Sequence, residues 1–412
     1  MDKRKKLLLL GGTNCADEIK EYAKNNNVCL TATGIYPDTI LKRISEEAYD
    51  VDAADPDLLT KLVEEANIDG IFTGCNEYIV PKAIQAATAC DLPRYCNVDQ
   101  WDICMNKEKF KQLCIENDVP VARKYAIEEL KEEDFPVVVK PADSCGSQGF
   151  NICNTIDEVK AAIERAVKFS RTNSVLIEQY MPYDAAIIHY TAIDGNIYFC
   201  GMSDKKSSSL QGKNSSVMSL QVFPSDFTNT YIEKLDKKVV KMFKSIGIQN
   251  GPIWIEAFNN NGDIYFNEMG YRFGGSMTFH PVKYFYGIDQ LELLLDYSLG
   301  NKKEPVVPVL KNTNKQYCIL PLHVSSGIID KIIGEDYLVN AEYMYKYIPI
   351  HSVGDKIKAD ATVNQVFCYL HILFDDAENL HSIIKDVLDN LKVYDRDNNN
   401  LLFCLANKGG SL

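Results

Sequence analysis

The sequence predicts a mixed protein, α/β at its start and α+β after that: a parallel-sheet unit, a larger and mainly antiparallel unit, and a small α+β unit at the end. Three observations carry this. Strands alternate with amphipathic helices up to about residue 100, apolar runs separated by tight turns follow to about residue 300, and KKEPVVPV then breaks the pattern near residues 300–309. The boundaries fall at 1–100, 101–303 and 304–412, with 120–183 a subdomain of the middle unit.

In the first unit KLLLLGG is a strand ending in a glycine turn, Cys15 to Asn25 a helix, VCLTAT a strand, Pro56 to Asn67 a helix and GIFTGC a strand. A helix through IVPKAIQAATACD completes it. Such alternation implies parallel strands with helices on both faces. The GGTN turn lacks the GxGxxG of a dinucleotide site. Leu7 to Leu10 is shorter than the apolar core of a signal peptide, and no stretch approaches the ~20 apolar residues that span a bilayer.

In the middle unit Asn106 to Glu116 reads as a helix, followed by PVVVKP, GFNIC, SVLIEQYM, AIIHYTAIDGNIYFCGMS, GPIWIEAF and DIYFNEMG. Hairpin signals stand at Asp194-Gly195-Asn196 and Asn261-Gly262-Asp263. Helices are predicted over Asp157 to Arg171, Tyr231 to Ile246 and Asp289 to Leu299, and the polar SSSLQGKNSSVMS reads as a mobile loop. The last unit has short strands around Gln316 to Pro321 and Tyr343 to Ile350, a turn at Val353-Gly354-Asp355 and a helix from Ala377 to Leu391, with no catalytic constellation.

Charge narrows the function. Lys and Arg number 44 and Asp and Glu 57, so 44 − 57 = −13, and such a surface repels nucleic acid. The 13 cysteines have no CxxC pair or zinc spacing, which suits reduced core thiols in a cytoplasmic protein.

Three clusters carry chemistry. In VVVKPADSCGSQGF, Lys140 ends an apolar strand and Gly146 and Gly149 follow in a short loop. Glycine lets backbone N–H groups approach an anion, so the loop can fold over phosphates; the alternative is a plain hairpin with Lys140 reaching solvent. The second cluster is Glu256 and Glu268, on strands flanking NNNGD. A two-residue Asn261-Gly262 turn would pair Glu256 with Asn267, whereas a three-residue loop, Asn261 to Asp263, puts Glu256 opposite Glu268. Because Trp254, Phe258, Ile264 and Phe266 share that face, an odd loop length is expected. Carboxylates about 5 Å apart repel each other unless a cation lies between them, and oxygen ligands without His or Cys indicate Mg²⁺ or Mn²⁺. The alternative is two solvated glutamates. The third cluster is Arg272 before Gly274 and Gly275, where a planar guanidinium suits a transferring phosphoryl group; the alternative is an arginine that neutralises Glu268.

Elsewhere His189 reads as a strand residue facing the core or a cleft wall, and His280 either lines a substrate pocket or caps a helix. Lys205, Lys206 and Lys213 flank the polar loop and read as solvated charges, the alternative being that they attract an anionic substrate.

In order, these pieces resemble the ATP-grasp superfamily over nearly the whole chain. MNKEKFKQLCIENDVPVARKYAI resembles the family's opening segment, with Lys107 at the first phosphate lysine and Lys140 at the second. DSCGSQGF matches the glycine-rich flap, with Ser144, Gly146, Ser147 and Gly149, and IEQYM matches the adenine hinge. WIEAF and FNEMGYR match the two metal carboxylates, Glu256 and Glu268, and the arginine, Arg272. The resemblance implies ATP and Mg²⁺ (or Mn²⁺) as cofactors, Glu178 accepting the adenine amino group, the main chain of Gln179, Tyr180 and Met181 bracketing the ring, and Asp184 holding the ribose. The sequence departs from the family at Gly270, where an asparagine metal ligand is common.

The resemblance also names the units: a pre-ATP-grasp domain, an ATP-grasp domain with a mobile lid, and a small C-terminal domain, the order seen in biotin carboxylase, glycinamide ribonucleotide synthetase and L-amino-acid ligases. It implies a ligase that joins a carboxylate to an amine or similar nucleophile through an acyl-phosphate and releases ADP and phosphate, with amino acids among the candidate substrates and Arg272 and Lys140 catalytic. The expected partners are small-molecule carboxylate and amine substrates, and the expected assembly is a homodimer. A bicarbonate-activating carboxylase, a purine enzyme and a non-catalytic nucleotide-binding protein are the alternatives.

Overall fold

Strands β1 (Lys6–Leu9), β2 (Cys29–Thr33), β3 (Glu47–Tyr49) and β4 (Gly70–Phe72) form a parallel sheet in the order β3-β2-β1-β4. The computed structural model describes residues 4–143, 149–170, 172–209, 216–301, 307–359 and 362–406. In β1, Leu7 and Leu9 pack with Ile19, Tyr22 and Leu30 on one face, while Leu8 packs with Leu59, Leu62 and Ile71 on the other. An all-apolar strand is thus buried on both sides, as the predicted helix layers require. The glycine turn after β1 exists for close backbone approach: a Cβ on Gly11 would stand 2.0 Å from the carbonyl oxygen of Thr73, in the loop after β4.

A second, antiparallel sheet has the order β6-β5-β7, from β5 (Val137–Pro141), β6 (Asn151–Cys153) and β7 (Val175–Gln179). Helix Ile156–Val167 covers it, with Val159, Ala162 and Ala166 against Val137, Val139 and Ile177. That helix stops at Val167 instead of continuing to Arg171, since its buried stripe ends at Ala166.

The largest sheet contains β8 (Ala185–Ile193), β9 (Asn196–Ser209), β10 (Ser216–Phe223), β11 (Gly251–Asn260), β12 (Asp263–Gly270) and β13 (Gln316–Val324). Its order is β12-β11-β8-β9-β10-β13, followed by strands Val366–Phe374 and Met344–Pro349, with Leu402–Cys404 also paired to β13. The sheet therefore crosses the break at 300–309: β10 pairs directly with β13, Gln221 opposite Ile319. Much of the Ser-rich loop is strand, a correction. Ser207 pairs with Met218 and Ser208 with Val217, because backbone ladders accept serine while Val217 and Leu220 supply buried contacts. Residues 210–215 of that loop lie outside the described residues.

Both hairpin signals close two-residue turns with positive φ, Asp194-Gly195 (47° and 77°) and Asn261-Gly262 (50° and 92°). This overturns the expected odd loop, since the turn follows the ordinary hairpin rule. Glu256 nevertheless lies opposite Glu268, because a β-bulge between Glu256 and Ala257 takes up Asn267 as one extra residue. Among the described residues no helix is long and apolar enough to cross a membrane. The twelve described cysteines are free and mostly buried.

Candidate active site

The cleft between the small sheet and the β11–β12 hairpin collects alternating charges. Lys140, at the end of β5, shares a face with Val138, whose partner across the strand pair is Glu178. Its ammonium lies 2.8 Å from Glu178 Oε2 and donates to Asn267 Oδ1 at 2.8 Å. Helix Lys107–Glu116, capped by the Asn106 side chain, presents Lys107 and Lys111 one turn apart on a single face. Lys107 lies 3.0 Å from Glu268 Oε2, and Lys111 closes on the other oxygen of Glu178. Lys205, on β9, closes on Glu256, whose Oε1 accepts from Asn267 Nδ2 at 3.3 Å. Four lysines and three glutamates thereby pair along one cleft, with one positive charge in excess.

Electrostatics follow from this packing. Burial alone would raise the Glu268 carboxyl, but Lys107, with Lys140 and Lys205 behind it, pulls it down to about 2. Burial opposes Glu178 as well, and Lys140 and Lys111 hold it below the usual carboxylate range. Burial, and then repulsion from Lys140, push the Lys111 ammonium down to about 8 despite its contact with Glu178. Burial would lower Lys205, and Glu256 reverses the direction.

Arg272 does not neutralise Glu268. Its guanidinium pairs with Glu77 in the loop after β4, donates to the Phe273 carbonyl at 2.8 Å and lies over the Trp254 ring at 5.3 Å. The carboxyl end of the parallel sheet thus meets the arginine, where open α/β sheets place their ligands. Gly275 has open space around its Cβ position, whereas a Cβ on Gly270 would stand 2.2 Å from Trp254 Nε1. The indole fills the place of the side chain that Gly270 lacks.

The other predicted positions separate. Gly149 has φ 75°, and a Cβ there would meet Pro141 Cγ at 2.8 Å; Ser144, Gly146 and Ser147 lie outside the described residues. In the hinge, the Gln179 N–H donates to the Arg123 carbonyl at 2.8 Å and Met181 is buried. Asp184 is exposed and 3.2 Å from Lys206. His189 belongs to the core: it is stacked on Phe223 at 5.4 Å, and burial pushes it down to about 3. His280 is buried within helix Phe279–Tyr286, 3.6 Å from Glu18, whose carboxylate also meets Lys346 at 2.6 Å.

Sequence reasoning missed Glu77, Lys111 and Asn267, and it read Lys205 as solvated. The correction for Lys205 follows from β9, which continues through it to Ser209 and turns its side chain onto Glu256. Lys206, next in line, is exposed, and Lys213 lies outside the described residues. Two signals were available: Lys111 stands four residues after Lys107, and Glu77 follows a strand of the parallel sheet at its carboxyl end.

Among the described residues no group of three or more His, Cys, Asp and Glu side chains gathers for a metal. Two facing carboxylates without nitrogen or sulfur donors fit Mg²⁺ or Mn²⁺, which take their remaining oxygens from phosphate and water.

Residues 133–280 match the ATP-grasp domain family. The formate-dependent phosphoribosylglycinamide formyltransferase of Bacillus subtilis (strain 168) is 24% identical over 292 residues, 66% of this chain and 72% of that protein. The L-amino acid ligase of Bacillus licheniformis shares the fold with a TM-score of 0.75 at 18% identity, over 96% of this chain and 99% of that one. The biotin carboxylase domain of the Hydrogenobacter thermophilus 2-oxoglutarate carboxylase, a dimer solved with MgADP and bicarbonate, gives 0.77 at 18%, over 97% and 92%. The family match spans Lys140, the hinge, both carboxylates and Arg272, so residues 133–280 carry an ATP-grasp domain, and the fold of the chain is similar to those solved structures over almost the full length.

Proposed function

We propose that the chain is an ATP-dependent ligase that activates a carboxylate as an acyl-phosphate and passes the acyl group to an amine, releasing ADP and phosphate. The observation that carries this is the run of lysines interleaved with glutamates in one cleft, with Arg272, four residues after Glu268, paired to Glu77 after β4. Each lysine now resting on a carboxylate is a cation that a phosphate oxygen can take, and each carboxylate so released is a ligand for a divalent cation.

On this reading Lys107 and Lys140 move onto the phosphates of ATP, freeing Glu268 and Asn267, while Glu256 exchanges Lys205 for the metal. Mg²⁺ or Mn²⁺, when bound by these two glutamates, neutralises charge on the phosphates. The backbone of Gln179 to Met181 brackets the adenine, and Asp184 holds the ribose. The Glu178 carboxylate already holds Lys111 and Lys140, so its part is to position those lysines as well as to face the adenine amino group. Arg272 steadies the oxyanion of the activated acyl group with its planar fork. Placement and charge neutralisation are the protein's whole contribution, as in phosphoryl transfer generally. Ser144, Gly146, Ser147 and Gly149 complete the phosphate side as the flap. A cytoplasmic homodimer is part of the proposal, and light scattering after size exclusion tests the assembly.

The deciding experiment measures ADP release from Mg·ATP, with and without EDTA, against pooled amino acids, formate and other small carboxylates, and bicarbonate, with product masses read from the same wells. A condensed product weighing the sum of two substrates minus water is expected. ADP release with bicarbonate and no added amino acid would favour the carboxylase reading. ATP binding with no ADP formed in any pool would overturn the ligase reading in favour of a non-catalytic nucleotide-binding protein.

A further inference from the structure

The residue that makes this hairpin irregular is Asn267. β11 and β12 pair regularly from Asn260 opposite Asp263 to Ala257 opposite Phe266, and resume with Glu256 opposite Glu268. Asn267 is the extra residue, and a bulge of this kind re-aims side chains where a regular ladder would alternate them. The contacts agree. Asn267 donates to Glu256 Oε1 at 3.3 Å and accepts from Lys140 Nζ at 2.8 Å, while Glu268, next in the chain, reaches Lys107 at 3.0 Å. An amide suits this position because it offers a donor to the carboxylate and an acceptor to the ammonium at once. Position 270, by contrast, has no room for a side chain beside the Trp254 indole.

We infer that Asn267 is a positioning residue that couples the divalent cation to the nucleotide phosphates: its N–H sets the orientation of Glu256, and its oxygen sets Lys140. The inference rests on the nucleotide-binding reading above. When Lys140 turns to a phosphate, the amide oxygen is left as a neutral oxygen beside two carboxylates, which is the surrounding a hard divalent cation takes. Metal binding with nucleotide present should therefore depend on Asn267 far more than nucleotide binding without metal does.

Mn²⁺ is the probe, titrated with ADP present and followed by the loss of its free electron-spin-resonance signal; metal-free ADP binding is measured by calorimetry. Asn267→Ala is expected to weaken Mn²⁺ by about 10-fold or more with ADP present, the range for a lost supporting partner of a metal ligand, while metal-free ADP affinity changes by less than about 3-fold. Asn267→Gln keeps both the donor for Glu256 and the acceptor for Lys140, so Mn²⁺ binding should return toward the parent level. Should Asn267→Ala not fold, Asn267→Ser, which lacks the amide, takes its place. Mn²⁺ binding within about 3-fold of the parent would overturn the inference, and so would equal losses of Mn²⁺ and metal-free ADP in both variants, the signature of a purely structural residue. If the parent protein binds no ADP at all, the nucleotide-binding reading fails first; if it binds MnADP and Asn267→Ala does too, this inference alone fails.

Discussion

Glu268 holds a proton less readily than an isolated glutamate although it stands opposite another carboxylate, and Lys107 is the first reason. The lysine is well buried and the glutamate about two-thirds so. Lys107→Met should therefore lower stability at neutral pH by about 1–3 kcal/mol, since breaking a sheltered pair strands the other charge. Adding Glu268→Gln should recover most of that loss in a double-mutant cycle read by urea unfolding. Glu268→Gln alone should keep the fold by circular dichroism and cut metal-dependent ADP formation by about 100-fold or more, the scale of losing one electrostatic stabiliser. Undiminished ADP formation would refute the metal assignment. Glu256, Glu268, Lys140 and Arg272 were legible because each is a charge set in an apolar strand or beside glycines, where burial demands a partner. Glu77 carried no such contrast in TGCNEY, and Lys111 sat in a helix already rich in lysine.

Among the elements, strands and helices with clean periodicity were readable from sequence to within a few residues, as β1 and helix Pro56–Ala66 illustrate. The edge strand Glu47–Tyr49 escaped because three residues are too few to give an alternation to count. The bulge at Asn267 was invisible for a different reason. Turn chemistry at Asn261-Gly262 spoke correctly for a two-residue loop, but nothing in residue type marks where a ladder absorbs an extra residue. The Gly11-Gly12 turn lacks a dinucleotide motif, and packing explains its first glycine. Gly11→Ala should cost about 2 kcal/mol or more, because the new methyl meets a backbone oxygen that cannot move aside. Gly275→Ala, which meets nothing within 4 Å, should leave thermal unfolding within about a degree of the parent. Equal shifts in the two variants would mean that β1 and β4 are not in such close contact.

At the scale of the whole molecule, His189, His280 and His323 are buried, and burial pushes them down to about 3, 4 and 4. His371 is driven well down by the same cause and by neighbouring His280. Each folded-state value lies below the unfolded one, so the unfolded chain binds more protons and stability falls as pH drops below about 6.5. Each histidine contributes a loss of up to about 1.4 kcal/mol per pH unit between its two values. Urea midpoints at pH 7, 6 and 5 should therefore fall with increasing steepness, and His323→Gln should flatten the curve. An unchanged midpoint from pH 7 to 5 would contradict neutral burial. The path of the large sheet across the break at 300–309 has a practical consequence for anyone shortening the chain. A polypeptide ending at residue 301 would uncover β10 along the ladder where Gln221, Val222 and Phe223 now meet Ile319, Cys318 and Tyr317. It would expose a row of unpaired amides and carbonyls flanked by apolar side chains, a template for self-association. Such a fragment should precipitate even though it contains the site residues, and adding residues 307–406 back as a separate chain should return it to solution.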